Sequence, residues 1–124
     1  MIGRTAALCI AMMLSGPAAA EEGSALFEPC RACHSLDPAA KKMMPGPNLA
    51  GLIGRKVAAD PAFDYSPVLR AAREEGRVWS VETLEKYVAD PEAMFPGTWM
   101  TRVPLANPAD RQALVRFLTD PKSR

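Results

Sequence analysis

Five consecutive residues, Cys30-Arg31-Ala32-Cys33-His34, constrain this chain more than anything else in its 124 residues. Two thiols three positions apart, followed at once by an imidazole, are spaced to hold one planar metal cofactor. Each thiol adds across a vinyl group of haem to form a thioether, and the histidine falls beneath the iron as an axial ligand. Rival uses of the same residues lack their other half. Zinc requires further Cys or His ligands at a distance, yet His34 is the only histidine and the third cysteine, Cys9, lies in an apolar leader. A thioredoxin-type redox pair requires alternating strands and helices around it, and no such pattern surrounds these cysteines.

The first twenty residues read as a separate segment. Met1 to Arg4 carries one positive charge, Thr5 to Leu14 is apolar, and Ala18-Ala19-Ala20 supplies the small residues that a signal peptidase requires. Residues 1–20 are therefore expected to form a cleavable secretory signal peptide, and residues 21–124 a single domain. The apolar run is too short to span a bilayer, and Cys9 within it is poorly placed for a lipid anchor. Export carries Cys30 and Cys33 into an oxidising compartment, where a thiol pair is oxidised unless something consumes it, and thioether formation does so.

Loss of the leader removes Arg4 and leaves fourteen basic and fourteen acidic residues. A formal charge of zero implies neither nucleic-acid nor anionic-membrane affinity. The core of so short a chain is small and, with 6% aromatic residues, poor in large rings. A buried haem would supply the missing apolar surface, so the chain without it is expected to be weakly folded.

Along the mature chain the pattern is helical. Glu21 to Arg31 reads as a short helix delivering the cysteines, its glutamates suited to the positive end of the helix dipole, with Gly23 and Phe27 four apart on one face. Ser35 to Pro47 has no periodicity and contains Pro38, Pro45, Gly46 and Pro47, so it is loop; its Pro-Gly-Pro run is well placed to offer a carbonyl to the histidine ring. Gly51 to Lys56 has two glycines and a lysine without the spacing of a phosphate loop. Ser66 to Glu75 reads as a helix with Val68, Leu69 and Ala72 inward and Gly76 closing it. Ser80 caps a longer helix, Val81 to Asp90, which turns Leu84, Tyr87 and Val88 inward and stops at Pro91. Asn107 caps the last helix, with Pro108 at its first position and Leu114, Phe117 and Leu118 on its inner face.

Taken together, Gly23, Phe27, Cys30 to His34, Gly46-Pro47-Asn48-Leu49, Gly51 to Lys56, Tyr65-Ser66, Trp79, Tyr87 and Pro96-Gly97-Thr98-Trp99-Met100 closely resemble class I cytochrome c of the mitochondrial and bacterial periplasmic type. The resemblance implies an all-α fold, a small shell of about four helices wrapped around one covalently bound haem c. It implies that the Pro47 carbonyl holds the proximal histidine, that Arg55, Tyr65, Trp79 and Thr98 lie around the haem propionates, and that Tyr87 donates its hydroxyl to the sulfur of the distal ligand. It also implies that the first and last helices cross, bringing Leu114 and Phe117 to Gly23 and Phe27. Propionates in a low-dielectric pocket need donors, and each of those four side chains carries one.

Four methionines of the mature chain compete for the distal position: Met43, Met44, Met94 and Met100. Met100 is favoured, because it lies sixty-six residues beyond His34 and follows a Pro-Gly turn that can aim a side chain inward. Met43 and Met44 sit on the proximal loop, and the family spacing puts Met94 on the wrong side of the turn. The sequence departs from the family in slightly longer loops at Lys41 to Met44 and between Tyr65 and Trp79, and at four residues. Trp99 stands where lysine is frequent and Arg102 where an aromatic is; Leu69 replaces an asparagine and Ala58 a glycine.

The expected protein is a soluble, monomeric, periplasmic carrier of single electrons between respiratory or photosynthetic redox partners, with His34 and Met100 as axial ligands. It is not expected to be an enzyme, since two protein ligands leave no open position on the iron, nor to insert in a membrane or bind nucleic acid. The alternatives are a haem subunit dedicated to one dehydrogenase or oxidase complex, and a haem enzyme or sensor with an exchangeable sixth ligand. Five basic residues between Arg31 and Lys56 face the single acid Asp37, which predicts modest steering of partners towards the thioether segment, with Arg31, Lys41, Lys42 and Arg102 on the rim. If the thioethers form as read, replacing both Cys30 and Cys33 by Ala leaves haem that acid-acetone extracts; a pyridine haemochrome spectrum of the pellet reads this directly.

Overall fold

The computed structural model describes residues 17–120. Five α-helices follow one another, α1 (Pro17–Phe27), α2 (Pro67–Glu74), α3 (Val81–Ala89), α4 (Pro91–Met94) and α5 (Pro108–Thr119), with a 3-10 turn at Glu28–Ala32 after α1. No β-strand occurs among the described residues, only an isolated antiparallel bridge between Lys56 and Val78. The leader expected over residues 1–20 lies outside the described residues as far as residue 16, and so does Cys9.

The first helix differs from the sequence expectation at both ends. It begins at Pro17, so Glu21 and Glu22 are exposed in mid-helix and do not serve its positive end. It stops being α-helical at Phe27, because Pro29 has no N–H to continue the ladder, and the chain tightens into the 3-10 turn that carries Cys30. The buried residues are Gly23 and Phe27, whereas Ala25 and Pro29 are exposed.

Elsewhere the ends follow local chemistry. Ser80 accepts from the Thr83 amide at 3.1 Å while the Thr83 hydroxyl accepts from the Ser80 amide at 2.8 Å, a reciprocal cap that satisfies two orphan donors at the start of α3. Asp90 leaves the helical conformation before Pro91, and its carboxylate accepts from the Ala93 amide at 3.0 Å. The same Asp-Pro pair that ends α3 therefore starts α4, a four-residue helix absent from the sequence reading. Asn107 accepts from the Ala109 amide at 2.9 Å and opens α5 with Pro108 next.

Helix α5 holds the molecule together. Leu114 and Phe117 pack with Phe27 and Leu36 in one apolar cluster, while Val115 belongs to a larger cluster with Leu52, Val57, Tyr65, Trp79, Leu84, Tyr87, Val88 and Phe95. The Phe27 and Phe117 rings lie 5.9 Å apart, and burying Phe27 completely contributes roughly 1.5–3 kcal/mol. A second joint clamps residues 54–57 to 77–79, with Gly54 donating to the Trp79 carbonyl at 2.7 Å and Trp79 donating to the Arg55 carbonyl at 2.9 Å. It fixes Arg55 and Trp79 relative to each other.

The α1–α5 crossing depends on Gly23, where an added Cβ would stand 2.4 Å from the Phe117 Cβ. Gly23→Ala should therefore destabilise the protein by about 1–2 kcal/mol, overpacking outweighing the gain of less than about 1 kcal/mol in helix propensity. Guanidinium unfolding measures it, and a stabilised variant would mean that the helices separate without cost.

Candidate functional site

Between the two apolar clusters lies a cavity of about 370 Å³. Cys30, Cys33, His34, Pro47, Arg55, Tyr65, Trp79, Tyr87, Thr98 and Met100 all line it, so every residue singled out in the sequence for the site reaches one space. They come from the 3-10 turn, the proximal loop, the clamp of residues 54–57 on 77–79, the segment before α2, α3 and the turn after α4.

On one side the backbone builds the histidine's position. The amides of Cys33 and His34 both donate to the Cys30 carbonyl, at 3.1 and 2.9 Å, and the Gly46 amide donates to the Cys33 carbonyl at 2.9 Å. This folds the Pro-Gly-Pro run back over the ring, and His34 Nδ1 donates to the Pro47 carbonyl at 2.7 Å. A carbonyl only accepts, so Nδ1 carries the hydrogen and Nε2 keeps a lone pair. Burial lowers the His34 pKa below its ordinary 6.5, partly offset by the Pro47 bond, so the ring is neutral and able to ligate. Stability drawn from the neutral ring is complete above pH 6.5 and is lost as acid protonates it. Burial also raises the Cys30 thiol pKa, reinforced by Cys33 and opposed by Arg31, which keeps that thiol protonated at neutral pH.

Across the cavity the four competing methionines separate. Met100 lines it, Met94 packs against the larger cluster outside it, Met43 is 87% exposed and Met44 faces a different groove. The Pro96-Gly97 turn that precedes Met100 uses a left-handed Gly97 with φ of 88°, and the Glu92 carboxylate accepts from the Gly97 amide at 3.0 Å. Tyr87 and Thr98 share a buried hydrogen bond of 3.2 Å between their hydroxyls. Burial raises the Tyr87 pKa, and the Thr98 bond lowers it. Either hydroxyl can be the donor in this bond; if Thr98 donates, the tyrosine hydrogen stays available to the methionine sulfur that the resemblance gives it.

The polar corner holds donors without acceptors. Arg55 directs Nη2 to the Asn48 carbonyl at 2.7 Å and Nη1 to the Ala50 carbonyl at 3.1 Å, but its Nε is buried with no partner among the described residues. Ser66, 1% exposed and also lining the cavity, has an equally unpartnered Oγ. Tyr65 accepts from the Asp60 amide at 3.1 Å through its hydroxyl, leaving the phenolic hydrogen to donate. Buried donors cost about 1–3 kcal/mol each when left unpaired, so this corner fits a bound acceptor such as a carboxylate. Ser66 received no role in the sequence reading; only its place beside Tyr65 marks it.

Two further residues shape the walls. Gly46 passes so close to the imidazole that a Cβ would lie 2.5 Å from His34 Cε1 and 2.9 Å from the Cys33 carbonyl oxygen. Ala58, buried on the cavity wall where the family favours glycine, adopts a left-handed φ of 56°, a conformation costing an L-residue about 1–2 kcal/mol.

The family described as Cytochrome c matches residues 20–120. A cytochrome c2 from Rhodopseudomonas palustris is 50% identical over 76 residues, 61% of this chain and 63% of that relative, so the match spans a little under two thirds of the relative's length. A cytochrome c2 from Rhodomicrobium vannielii is 38% identical over 97 residues, 78% of this chain and 74% of the relative. Among solved structures, cytochrome c2 from Rhodospirillum centenum superposes with a TM-score of 0.73 at 32% identity, covering 80% of this chain and 94% of that one. The chain therefore belongs to the cytochrome c family, as a class I cytochrome with one covalently bound haem c. The cavity fits that group: apolar walls for the macrocycle, a neutral imidazole at its edge and orphaned donors at one corner.

Gly46→Ala should push the imidazole off the Pro47 carbonyl, and if His34 is the ligand read from the sequence its bond to the iron should weaken. The expected result is a shift of the ferric spectrum towards high spin and a lower pH stability limit that moves up; an unchanged spectrum would show that the glycine's close approach is dispensable.

Proposed function

We propose that this cytochrome is a one-electron carrier of the periplasm, released from a signal peptide over residues 1–20, with His34 and Met100 as axial ligands and Cys30 and Cys33 as the points of attachment. The observation that carries the reading is the convergence of both thiols, one neutral imidazole and a single methionine on one mostly apolar cavity. Haem held by Cys30, Cys33, His34 and Met100 would supply an iron able to take up and give back a single electron.

Each residue has a task in that cycle. Pro47 fixes the tautomer and rotation of His34, so Nε2 is presented with its lone pair forward and the ring does not reorganise when the charge on the iron changes. Met100 contributes a soft thioether, which favours the ferrous state and raises the potential. The hydrogen bond between Tyr87 and Thr98 braces the turn that carries Met100 and keeps both hydroxyls from competing for the iron. Arg55 Nε, Ser66 Oγ and the Tyr65 hydroxyl donate to the propionates, whose charge would otherwise sit unpaired in a low-dielectric space.

A site closed by two protein ligands favours electron transfer over catalysis, and in the described residues no helix is long and apolar enough to cross a membrane. Partners are other redox proteins, met as a monomer.

Met100→Ala tests the assignment. It should remove the near-infrared sulfur-to-iron charge-transfer band, lower the potential and open the iron to carbon monoxide. If the band survives in that variant and disappears in Met94→Ala, the distal ligand is Met94 and the reading of the turn is wrong.

A further inference from the structure

Four large apolar side chains are conspicuously exposed among the described residues, and two of them, Met43 at 87% and Trp99 at 60%, line one surface groove of about 830 Å³. Neither position follows from folding. Met43 belongs to the proximal loop and Trp99 to the turn before Met100, so the groove joins the two sides of the cofactor site. Its walls continue into the cavity itself, for Pro45, Arg55, Phe63 and Trp99 line both. A molecule seated in the groove stands against the same side chains that enclose the haem.

The charge around the groove is unbalanced. Of its two acids, Asp64 pairs with Arg70 at 3.1 Å, while Asp60, whose carboxylate accepts from the amides of Asn48 and Ala62 at 3.3 and 2.9 Å, keeps a charge that Lys41 and Lys42 outnumber. Arg55 is turned onto the Asn48 and Ala50 carbonyls. Lys41 and Lys42 are exposed and form no ion pair among the described residues. The net free charge at this edge is therefore positive, beside an apolar lining.

We propose that the groove lined by Trp99, Met43 and Phe63, with Lys41 and Lys42 beside them, is the docking face for an electron-transfer protein that presents an apolar patch bordered by carboxylates. This rests on the reading of the chain as an electron carrier and adds how the partner is held. Trp99 is the anchor, since a large ring buried at the centre of an interface dominates its affinity. The two lysines orient the approach but contribute little at physiological salt, where charges at the rim are screened. Binding held by apolar contact survives salt, unlike binding held by a ring of lysines.

Stopped-flow oxidation of the reduced holoprotein by respiratory or photosynthetic membranes of the source organism tests this, with reduction by neutral lumiflavin semiquinone as a gauge of the haem alone. Trp99→Ser should weaken saturation by about thirtyfold, as loss of a binding hot spot does. Met43→Asp, at a residue outside the haem cavity, should weaken it by about tenfold while reduction by the flavin stays at the wild-type rate. The double variant Lys41→Glu/Lys42→Glu should slow the reaction at low ionic strength only, converging with wild type above the salt that screens it. The proposal is overturned if Met43→Asp and Trp99→Ser both saturate like wild type, or if the lysine variant alone accounts for the loss. Sedimentation of the wild type as a dimer that Met43→Asp dissociates would likewise overturn it, assigning the face to a second copy. A wild-type protein that the flavin reduces but no membrane oxidises would instead refute the carrier reading on which the proposal stands.

Discussion

The hydrogen bond from His34 Nδ1 to the Pro47 carbonyl is short, part-buried and spans thirteen residues, and much of the molecule exists to hold its two ends. The histidine end is set by the 3-10 turn after α1, which α5 pins from behind through Phe27 and Phe117. The proline end is set by the Gly46 amide on the Cys33 carbonyl and by the Leu49 amide on the Ser35 carbonyl at 2.9 Å. Neither end is a regular element. A loop without periodicity is therefore held as firmly as a helix, by pairing its backbone with the cysteine segment it faces.

The cavity shows how a short chain can form a site larger than its core would support. Two apolar clusters meet along α5 and at Leu49, and the space between them is walled by members of both. In a chain of 124 residues with two tryptophans and four phenylalanines, that space is not filled by side chains. Burying a macrocycle there replaces core that the sequence does not contain, and removal of water from the walls makes each remaining polar group consequential. Arg55 and Ser66 are the places where that is visible.

Much of this was legible in the chain because it is written locally. The five-residue Cys-x-x-Cys-His motif that places the chain in its family needs no neighbour to be recognised, and the caps at Ser80 and Asn107 are read from residue types a turn apart. The faces that carry Gly23 with Phe27 and Leu114 with Phe117 follow from spacing on each helix, while their meeting was what the resemblance implied. What escaped was set by tertiary context or by a residue with two meanings. Asp90-Pro91 reads as a stop and is also a start, so α4 was missed. The bond between the Tyr87 and Thr98 hydroxyls depends on how the next turn folds back, which no periodicity encodes. The guanidinium of Arg55 is divided between carbonyls of its own loop and an unpaired Nε, a division visible only once Asn48 and Ala50 are placed.

The crossing of α1 and α5 joins residues near opposite ends of the described chain, Gly23 and Phe117. Closing so long a loop is entropically slow to initiate but adds little once begun, each doubling of length costing only about 0.6 kcal/mol. Because the cysteine segment follows α1 directly, that closure also shuts the cavity. Cys30 is already half-buried in the folded chain and its thiol is held protonated. The segment that carries both thiols is thereby tied, through a single helix crossing, to the far end of the described chain.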